Sequence, residues 1–219
     1  MRLYTYWRSS SAWRVRIALA WKGIPHEVET VALAGEGARQ HTPEFRALNP
    51  MGQVPVLLLD EASPDGRPRR ITQSMAILEY LEERQPSPPL LPADPWLRAR
   101  ARQLAQIVNS GIQPLQNLAT TDHLQSIGGG DPLAWRQHFI SIGLEGLERE
   151  AQETASAFLV GDAPTFADLY LVPQLYNARR NAVDLAPYPT LVRVEAACAA
   201  LPAFQAAHPD AQPDTPGRS

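Results

Sequence analysis

The sequence predicts an α/β domain followed by an all-α domain, and three observations predict it. Strand-like and helix-like patterns alternate over residues 1–85. The stretch Gln85-Pro86-Ser87-Pro88-Pro89-Leu90-Leu91-Pro92 packs four prolines into seven residues, which no helix can continue through. From Asp94 onward the strand signal disappears and apolar residues recur at helical spacing. The expected organisation is therefore a first domain over 1–85, a linker over 86–93 and a helical domain over 94–219.

Within the first domain, Leu3, Tyr4, Thr5, Tyr6 and Trp7 form a β-branched and aromatic run that predicts a strand. Val15, Ile17, Ala18, Leu19 and Trp21 predict a short helix that stops at Lys22-Gly23. Val28, Thr30, Val31 and Leu33 suggest a second strand, and Pro43 to Leu48 a short helix. Val54 to Leu59 reads as a buried strand bounded by Gly52 and Asp60. Glu61 to Arg70 is polar and rich in turn formers, so it predicts an exposed hairpin loop, with Ile71 and Thr72 closing a last strand. Ser74 to Glu83 predicts an amphipathic helix with Ser74 as its N-cap and Met75, Ile77, Leu78 and Leu81 inward. In the second domain the helical spacing covers Pro95 to about His123, Pro132 to about Glu153, Thr165 to about Arg180 and Pro189 to Ala200. Gly128-Gly129-Gly130 lies between the first two as a loop tip.

Composition narrows the function classes. The chain has 219 residues and a formal net charge of −3, so there is no general electrostatic case for nucleic acid or a membrane surface. No apolar run approaches a membrane span, and the N-terminus shows a strand pattern in place of a signal-peptide core. One cysteine, Cys198, rules out an internal disulfide framework and fits a reducing cytosol, so a cytoplasmic location is expected. It lies in an alanine-rich helical segment and reads as a buried residue rather than a nucleophile. His26, His41, His123, His138 and His208 show no paired metal spacing, so no metal is expected.

The stretch Ser9-Ser10-Ser11-Ala12-Trp13-Arg14 is where chemistry is most concentrated. Hydroxyls stand where a strand hands over to a helix, and Arg8 and Arg14 bracket them. Serines there cap the free N–H groups of the first turn. The same helix end carries roughly half a positive charge, which favours a thiolate or carboxylate. Capping alone and an anion site both remain open on this stretch. Pro55, one residue into the strand, belongs at a strand start or edge, and a cis Val54–Pro55 bond would turn the Val54 main chain toward an extended ligand. Gln73-Ser74 opens a helix that is either capped or built for a carboxylate. Thr165-Phe166-Ala167-Asp168 has capping-box spacing. Arg179-Arg180 closes an apolar helix as a solvated end or an anion site.

Beyond these separate signals, the chain resembles the zeta class of glutathione transferases, the maleylacetoacetate isomerases. The family motif Ser-Ser-Cys-Ser-Trp-Arg-Val-Arg-Ile-Ala-Leu is matched by Ser9 to Leu19. Ala47-Leu48-Asn49-Pro50-Met51, Gln53-Val54-Pro55, Gln73-Ser74, Gly111-Ile112-Gln113-Pro114-Leu115-Gln116-Asn117, Val172-Pro173-Gln174 and Asp184 to Pro189 also match. The resemblance runs from Leu3 to about Thr215. It implies a thioredoxin-like domain followed by a helical bundle, as a homodimer, with glutathione as cofactor in the first domain and a maleyl-type diacid between the two.

The resemblance also assigns residues. Ser9, Ser10, Ser11 and Arg14 are the catalytic group, and with Trp13 they surround the glutathione sulfur. Gln40, Val54 and Pro55 hold the tripeptide backbone, and Gln73 and Ser74 take its γ-glutamyl end. Gln113 and Asn117 close over the site from the helical domain, and Arg8 and Arg180 meet the substrate carboxylates, Arg180 across the interdomain cleft, with Arg179 its solvated neighbour. Two positions depart from the family: Ser11 replaces its cysteine and Ala12 its fourth serine. The 61–70 loop is also longer than the family's.

The implied activity is glutathione-dependent isomerisation of maleylacetoacetate to fumarylacetoacetate in aromatic amino-acid catabolism. Maleylpyruvate isomerase is the nearest alternative. It carries histidine where this chain has Trp13, and arginines in place of Leu118-Ala119-Thr120. A dehalogenase of α-halo acids and a non-catalytic glutathione-binding protein are the more distant ones.

Overall fold

The computed structural model describes residues 1–33 and 38–217. The chain divides into two compact units, one of Met1–Pro88 with the segment from Pro202 onward, the other of Pro89–Leu201. The first unit holds a four-stranded sheet in the order β2-β1-β3-β4. Strand β1 (Arg2–Thr5) runs parallel to β2 (Glu27–Thr30) and antiparallel to β3 (Val56–Ala62), which pairs antiparallel with β4 (Pro68–Thr72). Helix α1 (Ser10–Trp21) makes the β1-to-β2 crossover, α2 (Pro43–Leu48) precedes β3, and α3 (Ser74–Arg84) follows β4. This is the mixed sheet with flanking helices that the thioredoxin-like reading implies.

Boundaries shift from the sequence expectation for local reasons. Strand β3 begins at Val56 and not at Val54, because Pro55 has no N–H to give the ladder. At its far end β3 continues to Ala62 and β4 starts at Pro68, so the expected loop over 61–70 shrinks to a turn at 63–67. A register irregularity between Leu58 and Ala62 absorbs the extra length. Ser74 is the first residue of α3 and does not cap it; Gln73 occupies the cap position without a side-chain bond.

Helix α1 has almost no polar face. Ala12 through Leu19 are all buried, including Arg14 and Arg16, as befits a helix enclosed on several sides. Gly23, at φ +63°, ends it in the conformation glycine adopts most readily. The α1 terminus is tied to that of α3 by a buried pair, Lys22 Nζ to Glu82 Oε2 at 2.7 Å. The same ammonium donates to the Gln85 and Pro88 carbonyls. The chain from Gln85 to Pro88 is therefore a pinned turn.

The chain's last segment departs from the expected domain boundary. The helical unit ends at Leu201 and not at the C-terminus. Helix α10 (Pro202–Ala207) packs on α1, and His208 meets Trp13 edge-on at 5.2 Å. The apolar surface of α1 explains the return, since residues 12–19 need cover.

The second unit contains α4 (Pro95–Gln106), a π-helical stretch Ile107–Ile112, α5 (Gln113–Gln116), α6 (Leu118–Ser126), α7 (Pro132–Ala151), α8 (Phe166–Arg180) and α9 (Pro189–Ala199). The single helix expected from Pro95 to His123 is thus broken. Pro114 lacks a donor, and Asn117 turns extended and caps α6 by accepting from the Leu118 N–H. Cys198 is buried in α9, and burial pushes its thiol well above the ordinary value. Among the described residues no helix is long and apolar enough to cross a membrane.

The capping box read at Thr165–Asp168 is present. Asp168 is fully buried and accepts from the Leu159 N–H at 2.9 Å, the Thr165 N–H at 2.7 Å and the Thr165 hydroxyl at 3.0 Å. Burial outweighs those bonds and pushes its carboxyl up from 3.8 to about 6. A raised carboxyl keeps its proton longer in the folded state than in the unfolded chain. Its contribution is therefore complete below about pH 4 and is lost as pH rises through about 6. Urea unfolding at a series of pH values should show wild type losing about 2–3 kcal/mol relative to Asp168→Asn across that window. Parallel pH profiles for the two proteins would refute this account of Asp168.

Candidate active site

The site grows from the end of β1. After Thr5 the chain turns, with the Ser9 N–H bonded to the Tyr6 carbonyl at 3.0 Å, and enters α1. Ser9 is the N-cap: its Oγ accepts from the Ala12 N–H at 3.3 Å. Its own hydroxyl proton remains available to donate, since one Oγ can accept and donate at once. Ser10 and Ser11 are the first two helical residues and are half-buried. Three hydroxyls therefore stand at the positive end of a twelve-residue helix. Arg8 lies beside them with its guanidinium 5.4 Å from the centre of the Trp7 ring.

Arg14 and Trp13 are placed differently from the expectation that both surround a ligand sulfur. Arg14 has no exposed surface, and its Nη1 donates to the Ser74 hydroxyl at 3.2 Å. A guanidinium so enclosed cannot touch a ligand at the surface; it supports the site from behind by joining α1 to the start of α3. Trp13, 2% exposed, packs against His208. Both are corrected from ligand contacts to residues that hold the helix in place.

Ser74, 4% exposed, is reached by Arg14 from inside the fold. Its neighbour Gln73 is exposed and takes φ 70°, ψ 118°, a backbone region costly for a residue with a side chain. Strain of that kind persists where the surrounding structure, and often a ligand, over-determines it.

A further part of the candidate site is a turn built on Asn49. Its buried amide donates to the Gln53 carbonyl at 2.6 Å and accepts from the Met51 N–H at 3.1 Å. Gly52 has φ +63°, and a Cβ there would lie 2.8 Å from the Gln40 carbonyl oxygen, so only glycine fits. The turn delivers Val54-Pro55, whose peptide bond is cis. The Val54 side chain belongs to a small core with Ala12, Val31, Phe45 and Val56, leaving its main chain as the part a ligand can use. Gln40 donates through Nε2 to the Leu33 carbonyl at 2.9 Å, and its Oε1 is buried with no hydrogen-bond partner among the described residues.

The remaining candidates lie in the second unit. Gln113 begins α5, and Asn117 is committed through Oδ1 to capping α6. Gln116 and Gln174 form a buried reciprocal amide pair at 2.8 and 3.1 Å. At the end of α8, Arg179 makes a two-point ion pair with Glu195 at 2.6 and 2.5 Å, and Arg180 is exposed. The sequence reading missed Arg16, Asn49 and Asp214. Arg16 had a signal, a second arginine two residues after Arg14 in an otherwise apolar helix; Asn49 had one too, standing before Pro50 and Gly52 as a turn former within a matched family stretch; Asp214 had none.

A mixed four-stranded sheet whose first helix presents serines, followed by a helical unit, is the plan of a glutathione transferase. Residues 8–84 match the family model of the glutathione S-transferase N-terminal domain. A mouse maleylacetoacetate isomerase is 48% identical over 98% of this chain and 94% of its own length. The crystal structure of maleylacetoacetate isomerase from Anaeromyxobacter dehalogenans, with dicarboxyethyl glutathione and citrate bound in its active site, matches with TM-score 0.87 and 54% identity, covering 98% of this chain and 97% of that one. A maleyl pyruvate isomerase, described as a bacterial zeta-class glutathione S-transferase, matches with TM-score 0.89 and 42% identity, covering 98% and 100%. The chain belongs to the maleylacetoacetate isomerase family of the zeta-class glutathione transferases.

Glutathione suits the residues present. The γ-glutamyl end needs donors at a helix start, which α3 offers at Gln73-Ser74; the sulfur needs donors at another, which α1 offers; and Gln40 Oε1 is an acceptor with no partner among the described residues. If the strain at Gln73 serves ligand binding, Gln73→Gly should raise stability by about 1 kcal/mol and raise the KM for glutathione roughly tenfold. Denaturant titration and glutathione-dependent kinetics measure the two. A destabilised variant with unchanged KM would refute that link.

Proposed function

We propose that this protein is a glutathione-dependent cis–trans isomerase that converts maleylacetoacetate to fumarylacetoacetate. The observation that carries the reading is the serine-bearing N-terminus of α1, with Ser9 capping the helix while keeping a proton to donate. Bound glutathione supplies a thiolate whose reversible addition makes the cis double bond single, so that rotation and release leave the trans isomer. The protein's part is to hold the sulfur ionised and the diacid in register. Ser9 donates to the sulfur, with Ser10 and Ser11 secondary, and the helix end adds positive potential. Val54 pairs with the cysteinyl part through its main chain, Gln40 and Pro55 line the same stretch, and Gln73 and Ser74 hold the γ-glutamyl group. In the second unit, Gln113 and Asn117 complete the glutathione contacts.

The substrate carries two carboxylates, and Arg8 and Arg180 are their cations. Arg179 is paired with Glu195, and the family resemblance assigns its exposed neighbour Arg180 to this role. The related Anaeromyxobacter enzyme, with a dicarboxyethyl glutathione in its site, supports a diacid substrate. The enzyme works as a cytoplasmic homodimer in the catabolism of tyrosine and phenylalanine, on the strength of the family resemblance.

Maleylpyruvate is the competing substrate. Of the two positions that distinguish the competitor, Trp13 is buried, so only Leu118-Ala119-Thr120, where Leu118 is 52% exposed, can face a substrate directly. Turnover of both acids with glutathione in catalytic amount decides between them. A higher kcat/KM for maleylpyruvate would overturn the substrate and leave the reaction class standing.

Two variants test the residues. Ser9→Ala should raise the pKa of the bound thiol and lower kcat by roughly 10²-fold, besides weakening the helix by about 1 kcal/mol as a lost cap. Full activity in Ser9→Ala with a dead Ser10→Ala or Ser11→Ala would move the role along the helix. Arg180→Met should raise the KM for the diacid by roughly 10- to 100-fold, the loss of one charge-assisted bond, with glutathione affinity unchanged. Arg179→Met should leave that KM alone. An equal loss in both arginine variants would return them to the solvated surface.

A further inference from the structure

The loop that carries the serines is held from a distance of two hundred residues in sequence. Arg16, 4% exposed, points back along α1 and donates from Nη1 to the Tyr6 carbonyl at 3.1 Å and from Nη2 to the Trp7 carbonyl at 2.9 Å. Its Nη1 also reaches the Thr5 hydroxyl at 3.0 Å, and its Nε the Ala207 carbonyl at 3.2 Å. The Trp7 N–H, which shares its peptide with the Tyr6 carbonyl, donates to Asp214 Oδ2 at 2.9 Å. Both polar main-chain groups of Trp7 are therefore taken by charged side chains of opposite sign.

Asp214 is delivered by a segment that is itself well braced. Gln212 Nε2 donates to the Ala206 and His208 carbonyls at 3.0 Å each, and the Thr215 hydroxyl donates to the Pro209 carbonyl at 2.5 Å. Burial pushes the Arg16 guanidinium down to about 10, and the negative charge of Asp214 partly offsets this. The guanidinium fork suits two adjacent carbonyls in a way an ammonium does not.

We propose that Asp214 and Arg16 are positioning residues of the isomerase: together they fix the Tyr6–Trp7 main chain so that the Ser9 hydroxyl, two residues on, meets the thiol sulfur. The inference rests on the reading that the α1 serines hold that sulfur. A hydroxyl donor stabilises a thiolate only at the right distance and angle, and displacement on the order of 1 Å costs as much as 10²-fold in rate. Neither residue touches glutathione or the diacid; each acts through the loop backbone.

The test is carried out on the full-length enzyme with glutathione, reading thiolate ultraviolet absorbance against pH alongside kcat and KM. Asp214→Ala should lower kcat roughly tenfold and raise the bound thiol pKa by about one unit, the equivalent shift, with the KM for glutathione within about twofold. Asp214→Asn keeps an oxygen for the Trp7 N–H and should restore most of the activity and the wild-type thiol pKa. Arg16→Lys keeps the charge but cannot hold both carbonyls, so it should resemble Asp214→Ala; it also serves if that variant does not fold. Gln212→Ala loosens the segment without contact to the loop, and should lower the melting temperature while leaving the thiol pKa in place. Equal thiol pKa values in Asp214→Ala and wild type, or activity that only follows melting temperature across all four variants, would overturn the proposal. If no serine variant moves the thiol pKa, the reading of the serines fails instead; if Ser9→Ala moves it and Asp214→Ala does not, only the positioning role fails.

Discussion

Helix α1 carries two guanidinium groups, Arg14 and Arg16, into the interior of the first unit. A desolvated cation is tolerable only where acceptors meet it, so the segments that supply those acceptors lose their freedom. Ser74, at the start of α3, is one; the Tyr6 and Trp7 carbonyls are others; the Ala207 carbonyl, from the returning C-terminal segment, is another. Three segments distant in sequence are thereby fixed around one helix, and they are the segments that shape its open end. The hydroxyls at that end need an exact backbone more than they need a special environment, and the buried charges supply it.

The second unit solves a similar problem with one carboxylate. Asp168 gathers the Thr165 N–H and hydroxyl and the Leu159 N–H, so the loop before α8 and the first turn of α8 are set together. Because α8 is buried along most of its length, any error in its start would propagate to Gln174 and its amide pair with Gln116. That pair fixes the end of α5 against α8, next to the residues assigned to ligand in this unit. Pro173, inside α8, removes one helical donor near the same place. The π-helical stretch ahead of α5 reaches the same end by another route, rotating the chain into Gln113 before Pro114.

Much of this was legible because it is written in local chemistry. Proline density marked the break after α3, serines marked the start of α1, and Thr165 with Asp168 marked the start of α8. The family motif then supplied what isolated serines could not, a choice between capping and catalysis. Burial was the weak point. Arg14 reads as a cation among hydroxyls and so as a ligand contact, yet its place is behind Ser74, because α1 is enclosed on several sides and every position from 12 to 19 is buried. Trp13 misled for the same reason. The returning C-terminal segment left no trace in the pattern, since the helical spacing ends at Ala200; only the need of α1 for cover explains its destination. Asp214 was illegible outright, as a single acid in a polar tail says nothing of Trp7.

On the proposed reading, hydroxyl donors and a helix end act on the sulfur without help from the buried Arg14. A cysteine-type thiol has a pKa near 8.5, and each unit by which a site lowers it corresponds to about 1.4 kcal/mol in favour of the thiolate. A helix N-terminus contributes about 0.3–1 kcal/mol, more where it is partly buried. One hydrogen bond to a charged acceptor contributes about 1.5–3 kcal/mol. Under that reading, a Ser9 hydroxyl and the dipole of α1 together lower the thiol pKa by roughly one to three units, with no contact from Arg14 required. That leaves Arg14 free to be structural, as its burial demands, and it makes the replacement of the family cysteine by Ser11 tolerable, since another hydroxyl adds a donor at the same helix end. The sensitive quantity is then distance. A charge acts over several ångströms and forgives displacement, whereas a hydroxyl donor weakens steeply once its bond lengthens or bends. A site that relies on donors must hold its backbone firmly, which is the service that buried ion chemistry around α1 performs.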